Sequence, residues 1–452
     1  MKDLTNGSIA KNILYMALPI AAGMIFQTLY FLIDLYFVGG LGAAALAGVG
    51  AAGNVTFIVL AATQVLGVGT VTLISHAAGR KDRADATLVF NQSLGMSASC
   101  GLLTLLAGYL AAPYFVRALG SDAATVAAGI SYLHWYLPSL GLQFAVVAMG
   151  SALRGTGIVQ PTMLVQVVTV ILNAVLAPVL IAGWGTGYPM GVAGAGLASS
   201  LSLAAGAVML GLYFHRLEKY VGFDAKLWRP QLATWRRLLR IGFPAGGEFA
   251  LMFIIMAVIY WIIRRFGEDA QAGFGIGTRM MQSMFLPAMA VAFATAPIVG
   301  QNYAAGKYLR VREAFGFGVL IGSCIMVCLT FFCQWGSEWV VGAFTKDATA
   351  VAVGAGYLRV VSWNFLATGF VFTCSAAFQG LGNTVPSVLS SASRVVTFVV
   401  PSLWLASTPH FQLVQLWYVS IASVTLQAIF SLWLVRREFR LRLPSAATAL
   451  AV

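Results

Sequence analysis

RGTGIVQP, residues 154–161, and QGLGNTVP, residues 379–386, are two versions of one motif, 225 positions apart. Each sets Gly-x-Gly ahead of a proline, the punctuation of one helix ending and the next beginning. The same offset holds outward from the motif. Pro19 pairs with Pro244, Gly42 with Gly267, Ala47-Gly48 with Ala272-Gly273, and Gly50 with Gly275. Asp122-Ala123 pairs with Asp347-Ala348, Gly129 with Gly354, and Tyr132-Leu133 with Tyr357-Leu358. Only the loop after the second helix breaks register, where AAGR at 77–80 matches AAGK at 304–307, a shift of two. The chain is an internal duplication, and the fold of one half predicts the other.

The residues between these markers fix the class. Of 452 residues, 60% are hydrophobic and 9% charged, with a mean hydropathy of +0.86. A soluble domain carries roughly 25% charged residues, so a soluble enzyme, a disordered scaffold and a disulfide-rich module are excluded. A bilayer span needs about 20 apolar residues. Twelve stretches qualify, near 12–37, 46–75, 86–111, 122–149, 159–182, 190–214, 241–263, 270–302, 313–343, 347–378, 384–407 and 411–435. The short alternating strands of a barrel are missing. The expected fold is therefore an all-α integral membrane protein. Twelve transmembrane helices form two six-helix lobes, a parallel repeat about a pseudo-two-fold axis along the membrane normal, which is a transporter architecture. The lobes span 1–214 and 241–436, joined by a basic linker at 215–240 and followed by a tail at 437–452.

The net charge of +13 is a matter of topology. Twenty of the 27 Lys and Arg fall on the side that holds both ends, in clusters such as Arg80-Lys81-Arg83, Arg236-Arg237-Arg240 and Arg436-Arg437-Arg440. Arg117, Arg264, Arg265 and Lys346 fall on the other, and Arg279, Arg359 and Arg394 within helices. The bias places both termini in the cytoplasm and argues for a lipid bilayer rather than nucleic acid as partner. The linker run AKLWRPQLATWRRLLR, 225–240, reads as an amphipathic piece on the anionic inner leaflet. The polar start, MKDLTNGSIAKN, shows no cleavable signal. Five cysteines lie in apolar runs and four histidines are scattered, so no disulfide framework and no metal site is expected.

Only two of the 14 acidic residues, Asp34 and Glu248, sit well inside predicted spans. A charge at mid-membrane costs on the order of 3 kcal/mol, so each is a functional candidate, weighed against a carboxyl merely satisfied by polar neighbours. Gln27, Tyr30 and Asp34 share one face of the first helix, and Gln166, Thr169 and Asn173 one face of the fifth. Ser199, Ser200 and Ser202 add a third polar surface. Lipid cannot satisfy such stripes, so they enclose a polar pocket in the first half. The second half offers Glu248 with Met252, then Met280, Met281 and Met284, as adaptable cavity lining or as simple packing. Arg279 and Arg394 are candidates for an anion, a salt bridge or snorkelling. GQNYAAGKY, from Gly300, misses the spacing and hydroxyl of a phosphate-binding loop, so transport would be secondary. No His-Asp, Ser-His or metal cluster supports a membrane enzyme.

Together, LIDLYFVGGLGAAALAGVG at 32–50, AAGRKDRADA, ALRGTGIVQP and GVAGAGLASSLS at 191–202 resemble the multidrug and toxic compound extrusion (MATE) transporters of prokaryotes. AGFGIGTRMM and FQGLGNTVP are similar to that family's second repeat. The resemblance covers nearly the whole chain. It implies export of organic cations or amphipathic drugs in exchange for H+ or Na+, across the inner membrane, by a single chain with no cofactor. It assigns cation coupling to Asp34, with Asn173 and Ser199 lining the site, and gives Glu248 a part in the second lobe. Two positions depart from the family pattern: Ala177 stands where an acid often follows the asparagine, and Thr368 where some members carry a tenth-helix acid. The missing oxygen at Ala177 favours H+ over Na+. Pro19 and Pro244, at equivalent positions, are the expected hinges. A lipid-linked sugar flippase of the same superfamily is the alternative, although its cavity would be lined with cations rather than two acids.

Overall fold

The computed structural model describes residues 1–119, 122–343 and 347–444; Lys346 and tail residues 445–452 lie outside the described residues. The described residues form thirteen α-helices and no strand. In the first half these are α1 (Ile9–Gly39), α2 (Ala43–Gly79), α3 (Arg83–Leu119), α4 (Ala123–Gly155), α5 (Gln160–Ala182) and α6 (Val192–Arg216). The second half has α7 (Leu232–Ile263), α8 (Glu268–Ala304), α9 (Tyr308–Gly342), α10 (Ala348–Val361), α11 (Asn364–Gly380), α12 (Val385–Ala406) and α13 (Leu413–Arg442). Among the described residues eleven are long and apolar enough to cross a membrane, and α10 and α11, bent by 58° at their junction, are so when taken together. The stretch read as one helix at 347–378 is thus a broken one.

Two compact units result. One holds Met1–Asp3 and Ala22–Gly242, the other Leu4–Ala21 and Phe243–Val452. The chain passes from one unit to the other inside α1, between Ala21 and Ala22, and inside α7, between Gly242 and Phe243. Both crossings lie within three residues of the helix-internal prolines, Pro19 and Pro244. The segment before α1 is tied to the second unit: Asn302 Nδ2 donates to the Leu4 carbonyl and Lys307 Nζ to the Thr5 carbonyl. The segment before α7 is tied to the first: Gln92 donates to the Arg229 carbonyl at 2.8 Å, and the Trp228 indole donates to Asn91 at 3.0 Å.

The duplication is written in the backbone. Asp122 and Asp347 both cap their helices, accepting from Thr125 N at 2.9 Å and Ala350 N at 2.7 Å. Gly48 on α2 and Gly273 on α8 lie hard against the helix two further along the chain, α4 and α10. A Cβ there would come within 2.6 Å of the Thr125 carbonyl or 2.7 Å of the Ala350 carbonyl. Gly157 and Gly382 close the opening motifs with φ of 80° and 74°, a conformation that glycine adopts without steric cost.

One reading of the sequence is corrected. The two-residue slip at the α2–α3 loop does not exist. α2 ends at Gly79 and α8 at Ala304, and α3 starts at Arg83 and α9 at Tyr308, all at the offset of 225. Asp82 N donates to Ala77 O as Lys307 N donates to Asn302 O. Lys81, with φ 59°, occupies the left-handed position that Gly306 fills at φ 73°. The matching strings were a coincidence of small residues, and the turn geometry sets the true register. The linker is also shorter than read. With Pro230 behind it, and neither Gly nor Pro between Leu232 and Arg240, that run continues as the first turns of α7 instead of lying apart as a separate amphipathic piece.

The lobes differ at mid-span. Pro138 leaves the His134 carbonyl without its helical donor, and Tyr109 donates to it at 3.0 Å. Ser200 from α6 then enters the opened ladder, accepting from Ser139 N at 3.2 Å and donating to the Trp135 carbonyl at 2.5 Å. α4 stays one helix. In the second lobe Trp363 replaces the proline, and Gln334 stands in for Tyr109. Gln334 donates to the Arg359 carbonyl and the Ser362 hydroxyl, each at 2.8 Å, while Thr330 donates to the Ser362 carbonyl at 3.0 Å. The carbonyls freed by the break are satisfied from α9, which is what permits broken backbone inside a membrane protein.

Candidate functional site

Asp34 lies on α1 in the first unit. Ser199, fully buried on α6, donates to its Oδ2 at 3.1 Å, and Asn173, fully buried on α5, reaches Oδ1 from Nδ2 at 3.5 Å. Tyr30, Tyr132 and Tyr136 lie within electrostatic reach of the carboxylate, and the last two stack with ring centroids 4.9 Å apart. The site is made of neutral donors; Asp34 has no ion-pair partner among the described residues. The Asn173 Oδ1 atom is buried without a partner, an acceptor held beside the carboxylate. Ala177, one turn further on α5, is fully buried and contributes no oxygen.

The polar stripes converge only in part. Tyr30, Asp34, Asn173 and Ser199 come together, whereas Gln27 is exposed. The Thr169 hydroxyl turns back onto the Gln166 carbonyl at 2.8 Å, the local bond that hydroxyls commonly make in helices. Tyr132 and Tyr136 escaped the sequence reading as site residues; they lie at i, i+4 on α4, and only Tyr132 entered it, as a repeat marker.

Glu248, on α7 in the second unit, sits in a cage of hydroxyls. Ser387 donates to Oε1 at 2.8 Å, Ser375 to Oε2 at 3.2 Å and Ser391 to Oε1 at 3.4 Å, while Gln379 donates to Ser375 at 3.4 Å. None of these partners was singled out in the sequence. The signal was there, since Ser375 and Gln379, and again Ser387 and Ser391, are i, i+4 pairs on apolar helices. The two carboxylates are not repeat equivalents. Asp34 corresponds to Ile259 and Asn173 to Phe398, both buried in an apolar cluster, and Glu248 corresponds to Gly23.

The family model described as MatE matches residues 19–179 and again 244–404. The chain belongs to the MatE family. Multidrug export protein MepA of Staphylococcus aureus is 26% identical over 403 residues, 88% of each chain. A structure described as the outward-facing conformation of a multidrug resistance MATE family transporter of the MOP superfamily has a TM-score of 0.91 at 25% identity, covering 98% of both chains. Another, a MATE protein in a bent conformation, also reaches 0.91 at 25% identity, over 99% of this chain and 98% of that one.

Around this MatE scaffold the remaining candidates take varied places. Met280, Met281 and Met284 pack against the second unit's core, where the Tyr357 hydroxyl meets Met281 Sδ at 3.3 Å and Cys333 meets Met284 Sδ at 3.3 Å. Met252 is 43% exposed, and Thr368 on α11 is half-buried. Arg279 is exposed and Arg394 half-buried within α12. Among the described residues no cluster of His, Cys, Asp or Glu is arranged to hold a metal.

Proposed function

We propose that this MatE protein exports cationic amphipathic drugs across the cytoplasmic membrane as a single chain, both termini inside, in exchange for protons at Asp34. The observation that carries the reading is the Asp34 carboxylate held by Ser199 and Asn173 with no ion-pair partner among the described residues. Inside a low-dielectric lobe such a group is stable with a proton or with a bound cation, and one carboxylate does not hold both. Protonation then expels the drug, and drug binding expels the proton. Exchange of one proton for one monovalent cation moves no net charge, so the pH gradient drives it. Sodium would need more oxygens than the site supplies, with a methyl group at Ala177 where a further carboxylate would serve. The similarity to a multidrug exporter and to multidrug-resistance transporters favours drugs over a lipid-linked sugar. Pro19 and Pro244 act as hinges in this scheme, because the chain changes unit within three residues of each.

Everted vesicles given a cationic dye in the outside medium, under separate proton and sodium gradients, test the reading. Dye uptake collapses when the pH gradient is discharged and ignores sodium. Full efflux by Asp34→Asn would end the coupling scheme, and sodium-driven uptake at zero pH gradient would overturn the choice of ion.

A further inference from the structure

Arg394 sits ten residues into the 22-residue α12, at mid-span, and the efflux scheme leaves it unused. Its Nε is buried with no hydrogen-bond partner, and the guanidinium forms no ion pair among the described residues. A cation at this depth is costly unless an anion or a wet cavity meets it. The side chain within electrostatic reach is Tyr357, whose hydroxyl contacts Met281 and whose ring packs on Phe274 and Trp417 with centroids 5.1 and 4.7 Å away. A guanidinium fork next to a phenol, an aromatic cluster and a methionine suits a carboxylate attached to an apolar or aromatic body. Ser387, Ser391 and Arg394 recur at i, i+4, i+7 along α12, and both serines hold Glu248. The acid and the guanidinium are therefore separated by about 5 to 10 Å along one helix face.

We infer that Arg394 is a carboxylate-binding subsite, and that the second lobe accepts zwitterionic amphiphiles with the ammonium at Glu248 and the carboxylate on Arg394. This rests on the drug-export reading but adds a second charge to the substrate class. The repeat does not carry this cation over: Thr169 stands in the first lobe at the position of Arg394.

Rhodamine 110 and rhodamine 123 test it, because they differ only in a free carboxylate against its methyl ester. Their affinities are measured by fluorescence polarisation on the full chain in neutral-lipid nanodiscs. Arg394→Met weakens rhodamine 110 at least tenfold and leaves rhodamine 123 within twofold, while Arg394→Lys keeps part of the difference. The unchanged rhodamine 123 affinity doubles as the folding control. Equal losses for both dyes, or undiminished binding of rhodamine 110, would overturn the subsite. A wild-type protein that binds rhodamine 123 but not rhodamine 110 would refute the subsite and leave drug export standing. Binding of neither would refute both.

Discussion

The two lobes share one frame and differ in what they put inside it. Caps, close helix crossings and turn conformations repeat at an offset of 225 residues, down to Gly48 and Gly273 facing the same carbonyl position. The face of α1 that carries Gln27, Tyr30 and Asp34 reappears on α7 as Met252, Ile255 and Ile259. The second lobe puts its acid eleven residues earlier, at the position of Gly23, and cages it with serines from α11 and α12. Backbone geometry constrains both copies alike, because either must cross the bilayer with every polar backbone group satisfied. Side chains inside a lobe are free of that demand, and the duplicated lobes diverge there.

The largest expected effect separates the two acids. On the proposed scheme Asp34→Asn removes the group at which proton and drug compete, so dye export in proteoliposomes falls at least 100-fold, about 2.7 kcal/mol of driving interaction. Glu248→Gln keeps the shape and most hydrogen bonds of the serine cage, and export falls no more than about tenfold, or 1.4 kcal/mol. Equal losses would mean that the lobes work as one site, against the asymmetry drawn above.

Next come substitutions that should treat the lobes alike. Gly48→Val and Gly273→Val each push a branched side chain into a carbonyl less than 3 Å from the Cβ position. Overpacking of this kind costs about 1–3 kcal/mol, with backbone in the way placing both near the upper end. Unfolding free energies by steric trapping in lipid should agree between the two within about 1 kcal/mol. A large mismatch would break the shared frame. A smaller cost attends the mid-span bends. Ser200→Ala leaves the Ser139 N–H and the Trp135 carbonyl without the bridging hydroxyl, at about 1–2 kcal/mol. Gln334→Leu, its functional counterpart, removes two hydrogen bonds and should cost about the same.

Much of this was legible in the sequence, for reasons the lobes make plain. The spans follow from hydropathy, and the repeat from glycines and prolines whose backbone roles tolerate few replacements. Asp34 was visible because an acid at mid-span is rare. What stayed hidden depended on geometry beyond one helix. The break at Ser362 and Trp363 carries no proline, and its stabilising donors, Thr330 and Gln334, are some 30 residues away on α9. The α2–α3 register failed because a lysine holds a glycine-like conformation at Lys81. The serines around Glu248 look like small residues for helix packing until α7, α11 and α12 are brought together.

The finest test uses the helix caps, where the lobes are nearly but not fully the same. Asp122 accepts from the Thr125 backbone at 2.9 Å and from the Thr125 hydroxyl at 2.8 Å. Asp347 accepts from the Ala350 backbone, and alanine has no hydroxyl to add. Loss of an N-cap acid costs about 1 kcal/mol, part of it from the helix dipole. Asp347→Ala should show that cost in unfolding free energy, and Asp122→Ala should exceed it by a few tenths, because the Thr125 hydroxyl also loses its acceptor. In the double variant Asp122→Ala with Thr125→Ala both the cap acid and the Thr125 hydroxyl are gone, and Thr349 opposite Ala124 is the sequence difference left in this turn. Its cap cost, measured from the Thr125→Ala parent, should fall to that of Asp347→Ala. If the excess survives, the extra stability at Asp122 comes from somewhere other than the hydroxyl, and the repeat is less exact at its caps than the backbone register implies.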